Sequence, residues 1–155
     1  MPNRQVFYSF HYQNDVFRAQ LIRNIGALDD NKPVAPNEWE EVKRKGDDAI
    51  KKWIDDNMNY RSCVVVLVGE NTAQRPWVKY EIKKAWEEGR GLIGVHVHHI
   101  QCPQNGHSIK GDNPFDLFKL PSGARLSKVV RCYDPSSVDA YGEIRKNMES
   151  WVEKA

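Results

Sequence analysis

The carboxylate of Glu81 lies at a position where it could take part in catalysis. It belongs to the segment WVKYEI at residues 77–82, which follows the apolar run VVVLV at residues 64–68. A helix that starts beside the carboxyl end of a parallel strand lies where open α/β folds bind their ligands. A carboxylate there can stabilise positive charge that develops on a substrate. A simpler interpretation, an exposed Glu81 paired with Lys84 on the same helix, remains open from the sequence alone.

The run at residues 64–68 predicts the strand that positions this helix. It has no polar alternation, so both of its faces must be covered, as in a central strand of a parallel sheet. Gly69 ends the strand, and Pro76 suits a first helical position because its missing N–H would have had no partner there. The spacing predicts an apolar stripe that packs on the sheet, formed by Val78, Ile82, Ala85 and Trp86. Trp77, Glu81 and Lys84 form a second row along the border of that stripe.

Strand-like and helix-like segments alternate along the rest of the chain. Further strands are predicted at residues 6–10, 92–98 and 128–133, with a short edge strand near Val34. Helices are predicted between them and at the end of the chain, which is the doubly wound α/β pattern. Residues 101–125 are irregular and form a long loop. The expected organisation is one domain over residues 1–155.

Composition excludes several classes of protein. The 155 residues are 28% charged with a formal net charge of +2, and the basic residues form no block, so nucleic-acid binding is not predicted. No apolar window is long enough for a membrane span and no signal peptide precedes the first strand, so the expected location is the cytoplasm, without a membrane partner. Cys63, Cys102 and Cys132 are odd in number and widely spaced, which argues against a disulfide framework.

Other chemistries fit the residues less well. No glycine-rich phosphate loop follows a strand, and the acidic cluster of a phospho-receiver is missing. Ser9, His11 and Asp15 lack the nucleophile elbow of a hydrolytic triad. The best candidate metal ligands are His96, His98, His99, Cys102 and His107. Their spacing matches no closed structural site, so no metal site is predicted.

Several motifs occur together in order, at residues 7–11, 53–54, 64–69, 72, 77–82 and 89–95. With these motifs the chain resembles the TIR-like family of bacterial and archaeal proteins, in particular its members in Thoeris antiphage defence. The resemblance implies a flavodoxin-like three-layer sandwich of about five mostly parallel strands in the order 2-1-3-4-5. It also implies an enzyme that cleaves the nicotinamide–ribose bond of NAD, its substrate, and needs no cofactor. The implied product is a cyclic ADP-ribose-type signal that acts on a separate effector, and the implied assembly is a homo-oligomer.

The same resemblance implies roles for individual residues. Glu81 matches the catalytic glutamate of the family. Matches to the substrate-binding residues are Ser9, Phe10 and His11 after the first strand, Asn14 and Asp15 at the polar end of that loop, and Trp77 on the aromatic side. Two alternatives stay open: a non-enzymatic TIR-like module that signals by protein–protein assembly, and a flavodoxin-like protein that binds a nucleotide without cleaving it.

Overall fold

The structure is a computed structural model that describes residues 6–10, 44–59, 61–70, 72–100 and 110–155. Its strands are β1 (Val6–Phe10), β2 (Cys63–Val68), β3 (Gly91–His96) and β4 (Cys132–Tyr133), and its α-helices are α1 (Asp47–Met58), α2 (Pro76–Glu87) and α3 (Ala140–Glu153). Short 3₁₀ turns occur at Thr72–Gln74, Pro114–Leu117 and Leu126–Lys128. Within these ranges, no helix combines the length and the apolar character that crossing a bilayer would require.

The described strands form one parallel sheet in the order β1-β2-β3-β4. In the register, Ser9 of β1 lies beside Val66 of β2, which lies beside Gly94 of β3. The sheet with helices around it confirms the predicted α/β, flavodoxin-like fold class. The predicted edge strand near Val34, which would precede β1 in the sheet order, lies outside the described residues.

Two apolar cores, one on each face of the sheet, give the fold its three layers. On one face, Val64, Val66 and Val68 pack against residues of α1 and α2 such as Ile54 and Ile82. On the other face, Val65 and Leu67 pack with α3. All six side chains of β2 are buried, as the lack of polar alternation in this run predicts.

Two local predictions were wrong. The predicted strand at 128–133 is a strand only at Cys132–Tyr133, because the N–H groups of Val129 and Val130 donate to the Leu126 carbonyl in a turn. Trp86, predicted in the buried stripe of α2, is 43% exposed, whereas the other three members of that stripe are buried. The buried face of α2 is therefore narrower than the spacing of its apolar residues indicates.

Gly94 of β3 lies in close contact with two neighbouring side chains. A Cβ atom at this residue would lie 2.8 Å from Cys132 Sγ and 2.9 Å from a ring carbon of Phe115. We expect Gly94→Ala to lower the free energy of unfolding by about 1–3 kcal/mol, because both side chains must move within a packed core. Urea titration measures the effect. Combining the substitution with Cys132→Ala should cost less than the sum of the two changes, whereas strict additivity would contradict the proposed clash.

Candidate active site

A compact turn links β2 to α2 and fixes where the helix begins. The Gly69 N–H donates to Thr72 Oγ1 at 2.8 Å, and the Thr72 side chain is fully buried. The Thr72 carbonyl accepts from Arg75 N–H at 3.1 Å, and Pro76 takes the first helical position, as predicted. These bonds satisfy the backbone at the strand end and bring the first turns of α2 back over the sheet.

Glu81 lies between α2 and the sheet, with only 7% of its surface exposed. Ser9 Oγ donates a hydrogen bond to Glu81 Oε1 at 3.0 Å. Ser9, itself 1% exposed, shares a strand face with Phe7, whose ring belongs to the core formed with α1 and α2. Strand β1 and helix α2 therefore bring a hydroxyl and a carboxyl group together across 72 positions of sequence.

Burial changes the acid–base behaviour of this carboxyl group. Desolvation raises the pKa of Glu81 to about 8, and the hydrogen bond from Ser9 acts in the opposite direction because it favours the charged form. At pH 7 the side chain is thus mostly protonated in the ligand-free protein. A carboxyl group whose pKa lies near neutrality can change its charge when a charged ligand binds.

The interpretation of Glu81 as an exposed partner of Lys84 is wrong. Lys84 Nζ instead lies 2.7 Å from Glu88 Oε2 and 3.3 Å from Asp55 Oδ1. Tyr80 donates a hydrogen bond to the same Asp55 oxygen at 2.9 Å. This polar network ties α2 to α1 without involving Glu81 or Ser9.

The other predicted site residues lie on different faces of the sheet or outside the described residues. Trp77 is partly buried, packs on the core shared with α2 and meets Tyr80 edge to face at 5.7 Å. Phe10 ends β1 and packs on the opposite core, against α3, so it lies on the other face of the sheet from Ser9. The predicted positions His11, Asn14 and Asp15 lie outside the described residues.

A close contact between Gly111 and Gly69 places the end of the long loop over the carboxyl edge of the sheet. A Cβ atom on Gly111 would lie 1.9 Å from the Gly69 carbonyl oxygen, which leaves no room for any side chain. Close by, Gln74 Nε2 donates to Asp112 Oδ2 at 3.3 Å. The segment that begins at Lys110 therefore runs against the end of β2. Sequence analysis missed this contact, because a glycine in a polar loop carries no local sign of its distant neighbour.

A cavity of about 570 Å³ lies at the other end of the sheet. Its lining includes Gly91 at the start of β3 and Arg131 just before β4, together with Arg90 and Lys154. Among the described residues, none of those predicted to act on a substrate lines it. The buried pair of Ser9 and Glu81, at the carboxyl ends of the strands, is the better candidate site because ligands of such sheets bind at that edge.

Comparison with known proteins adds to this geometry. A family model described as "Thoeris protein ThsB, TIR-like domain" matches residues 7–101. The chain belongs to this family. The "Putative cyclic ADP-D-ribose synthase ThsB1" of Bacillus cereus (strain MSX-D12) is 37% identical over 118 residues, covering 73% of this chain and 62% of that protein. The chain thus spans about three fifths of the length of this curated relative. The ThsB family match includes β1, β2, α2 and β3, and hence both Ser9 and Glu81.

Proposed function

We propose that this ThsB-family chain cleaves the nicotinamide–ribose bond of NAD and forms an ADP-ribose-type signalling nucleotide in antiviral defence. The observation that carries the proposal is the buried hydrogen bond between Ser9 and Glu81 at the carboxyl edge of the sheet. The name of the Bacillus cereus relative, "Putative cyclic ADP-D-ribose synthase ThsB1", supports a cyclic product. In this proposal the nucleotide acts on a separate effector, and the chain associates with further copies of itself.

The chemistry of NAD explains why one carboxylate suffices. The nicotinamide ring is a cation while it is attached to the ribose and leaves as a neutral molecule, so no general acid is needed. The bond breaks with its electron pair going to the ring nitrogen, and positive charge develops on the ribose as an oxocarbenium ion. A carboxylate beside the ribose stabilises this charge and accepts hydrogen bonds from the sugar hydroxyls.

The raised pKa of Glu81 couples this chemistry to substrate binding. The ligand-free side chain is mostly neutral at pH 7 because burial raises its pKa to about 8. A bound cationic ribosyl-nicotinamide favours the ionised form, since an opposite charge nearby lowers the pKa of a carboxyl group. The carboxylate is therefore generated where the positive charge of the substrate is present, in a site with few competing water molecules.

The direct test is to incubate the purified chain with NAD and follow nicotinamide release by chromatography, with mass analysis of the nucleotide product. The proposal predicts one nicotinamide per NAD consumed and a product with the mass of cyclic or linear ADP-ribose. The assay is run alone, at high protein concentration to favour assembly, and in lysate from phage-infected cells. Concentration-dependent assembly without NAD loss in all three settings would overturn the proposal in favour of a non-enzymatic signalling module. Tight NAD binding without cleavage would instead identify a nucleotide-binding protein.

Ser9 acts in this scheme as a positioning residue for Glu81. We expect Ser9→Ala to reduce kcat/KM at pH 7 by roughly ten- to a hundredfold, since a hydrogen bond to a charged group contributes about 1.5–3 kcal/mol. The loss of the donor also raises the pKa of Glu81, because the Ser9 hydrogen bond lowers it. We expect kcat/KM of the unmodified chain to rise with pH around the pKa of Glu81, near pH 8, and this rise should move to higher pH in the variant.

A pH–rate profile of both proteins checks this expectation, and Ser150→Ala, an exposed position on α3, serves as the matched control. A slower Ser9→Ala variant with an unchanged midpoint would show that Ser9 contacts the substrate and does not tune Glu81.

A further inference from the structure

A second group of potential ligands lies at the same edge of the sheet, beyond the ends of β3 and β4. His98 and His99 follow β3, and Asp134 follows β4. Each offers one ligating atom, and the three atoms lie within 4.8 Å of one another. Adjacent parallel strands thus deliver two imidazoles and a carboxylate from positions more than 30 residues apart in the chain.

The two histidines are held in place by the strand that precedes them. His98 is only 4% exposed, and its ring lies 3.9 Å from that of His99. The Val97 N–H donates to the Val68 carbonyl at 2.9 Å, and the Ile100 N–H donates to the Val97 carbonyl at 3.0 Å. These backbone bonds fix the turn on both sides of the histidines, so the imidazoles need little reordering to bind a ligand.

A third imidazole borders the cluster. The ring of His96 lies 5.7 Å from the ring of His98, nearly perpendicular to it. His96 is 95% buried, and its Nδ1 atom has no hydrogen-bond partner among the residues that the structure describes. A buried polar atom of this kind normally finds a partner, so its lack of one is a reason to look for a missing ligand.

A cation already occupies part of the cluster. Lys110 Nζ lies 2.7 Å from Asp134 Oδ2, and both side chains are well exposed. An exposed ion pair of this kind contributes little stability, about 0–1 kcal/mol. A metal ion could therefore displace the lysine at small cost, while the carboxylate would remain in place as a ligand.

We propose that His98, His99 and Asp134 form a binding site for a divalent transition metal of the Zn²⁺ type. Two imidazoles with one carboxylate are a donor set that suits Zn²⁺ and related ions, whereas Mg²⁺ and Ca²⁺ prefer oxygen ligands alone. Three protein ligands leave a fourth tetrahedral position open to water or to a ligand bound at this edge. The spacing of the histidines in the sequence did not indicate this site, because Asp134 joins them only through the pairing of β3 with β4.

The test uses the tag-free 155-residue chain after treatment with a chelator and dialysis. Isothermal titration with ZnCl₂ should show one bound ion per chain, and Co²⁺ should give the visible absorption of a tetrahedral site. His99→Ala and Asp134→Asn should each weaken Zn²⁺ binding by at least about tenfold. Asp56→Asn, which removes an exposed carboxylate from α1, is the matched control and should bind as the unmodified chain does.

Lys110→Gln provides a change of the opposite sign. Removing the competing ammonium group should tighten Zn²⁺ binding by about two- to fivefold, the equivalent of an exposed ion pair. A Lys110 that only stabilises the loop would not strengthen metal binding when it is replaced. Absence of saturable binding, or binding that neither His99→Ala nor Asp134→Asn weakens, would overturn the proposal. These measurements read metal binding without NAD, so their failure would leave the proposed cleavage reaction unaffected.

Discussion

Glu81→Gln should reduce the rate of NAD cleavage by at least about a hundredfold. The amide keeps the size of the side chain and can still accept the hydrogen bond from Ser9, but it cannot carry the negative charge that stabilises the ribosyl cation. Loss of one preorganised electrostatic partner costs about 3 kcal/mol in the transition state, which corresponds to a factor of about one hundred or more. Single-turnover measurement of nicotinamide release gives the rate of the chemical step directly.

The matched control for this substitution is Glu87→Gln, one turn and a half further along α2. Glu87 is well exposed and its Oε1 lies 4.0 Å from Lys83 Nζ, so its replacement makes the same carboxyl-to-amide change on the same helix without touching Ser9. Its rate should remain within about twofold of the unmodified protein, because exposed ion pairs contribute little. If both variants cleave NAD equally well, Glu81 has no part in the reaction.

The same Glu81→Gln substitution should stabilise the fold relative to the unmodified chain, by an amount that increases with pH. The pKa of Glu81 in the folded state is about 8, so the folded protein holds this proton up to about pH 8, whereas an unfolded chain releases it near the ordinary glutamate pKa of 4.5. Between these values the unfolded state is favoured progressively as pH rises, because it binds fewer protons than the folded state. Glutamine does not ionise, so the variant does not lose stability in this way as pH rises. From pH 5 to pH 8 the difference in unfolding free energy should move in favour of the variant by about 3 kcal/mol.

Urea unfolding of both proteins at pH 5, 6, 7 and 8 measures this difference. The comparison across pH matters more than any single value, since the cost of burying the N–H groups of the glutamine amide is the same at every pH. A stability difference that stays constant over this range would mean that Glu81 ionises normally in the folded protein. Loss of activity together with a gain in stability would mark Glu81 as a residue retained for function at a cost to the fold.

The sequence predicted correctly those features that depend only on the residues of one strand or helix. The unbroken apolar run of β2 predicted a buried parallel strand, and Pro76 marked the first residue of α2 correctly. The position of Glu81 was predicted only as the border of a stripe. Its burial depends on Ser9, which shares a hydrogen bond with it only once β1 and β2 are paired. Local spacing cannot contain that information.

Where the prediction was wrong, strand propensity and apolar spacing did not decide the local structure. Val129 and Val130 have strand-like propensity, yet the Leu126 carbonyl accepts hydrogen bonds from their N–H groups in a turn. Trp86 has the spacing of a core residue but remains 43% exposed. The metal-ligand candidates show the same limit, because counting intervals between histidines does not reveal an aspartate supplied by a neighbouring strand.

The alternation of side chains along β1 has a consequence for how this protein can vary. Ser9 and Phe10 are neighbours in the chain but serve opposite halves of the molecule, one meeting Glu81 and the other packing toward α3. Deletion of a single codon just before Ser9 would move Phe10 into the place of Ser9, setting a phenyl ring against the carboxyl group and a hydroxyl against the core that packs with α3. Strand β1 can therefore change in length only by an even number of residues if Ser9 is to keep facing Glu81 and Phe10 is to keep packing toward α3.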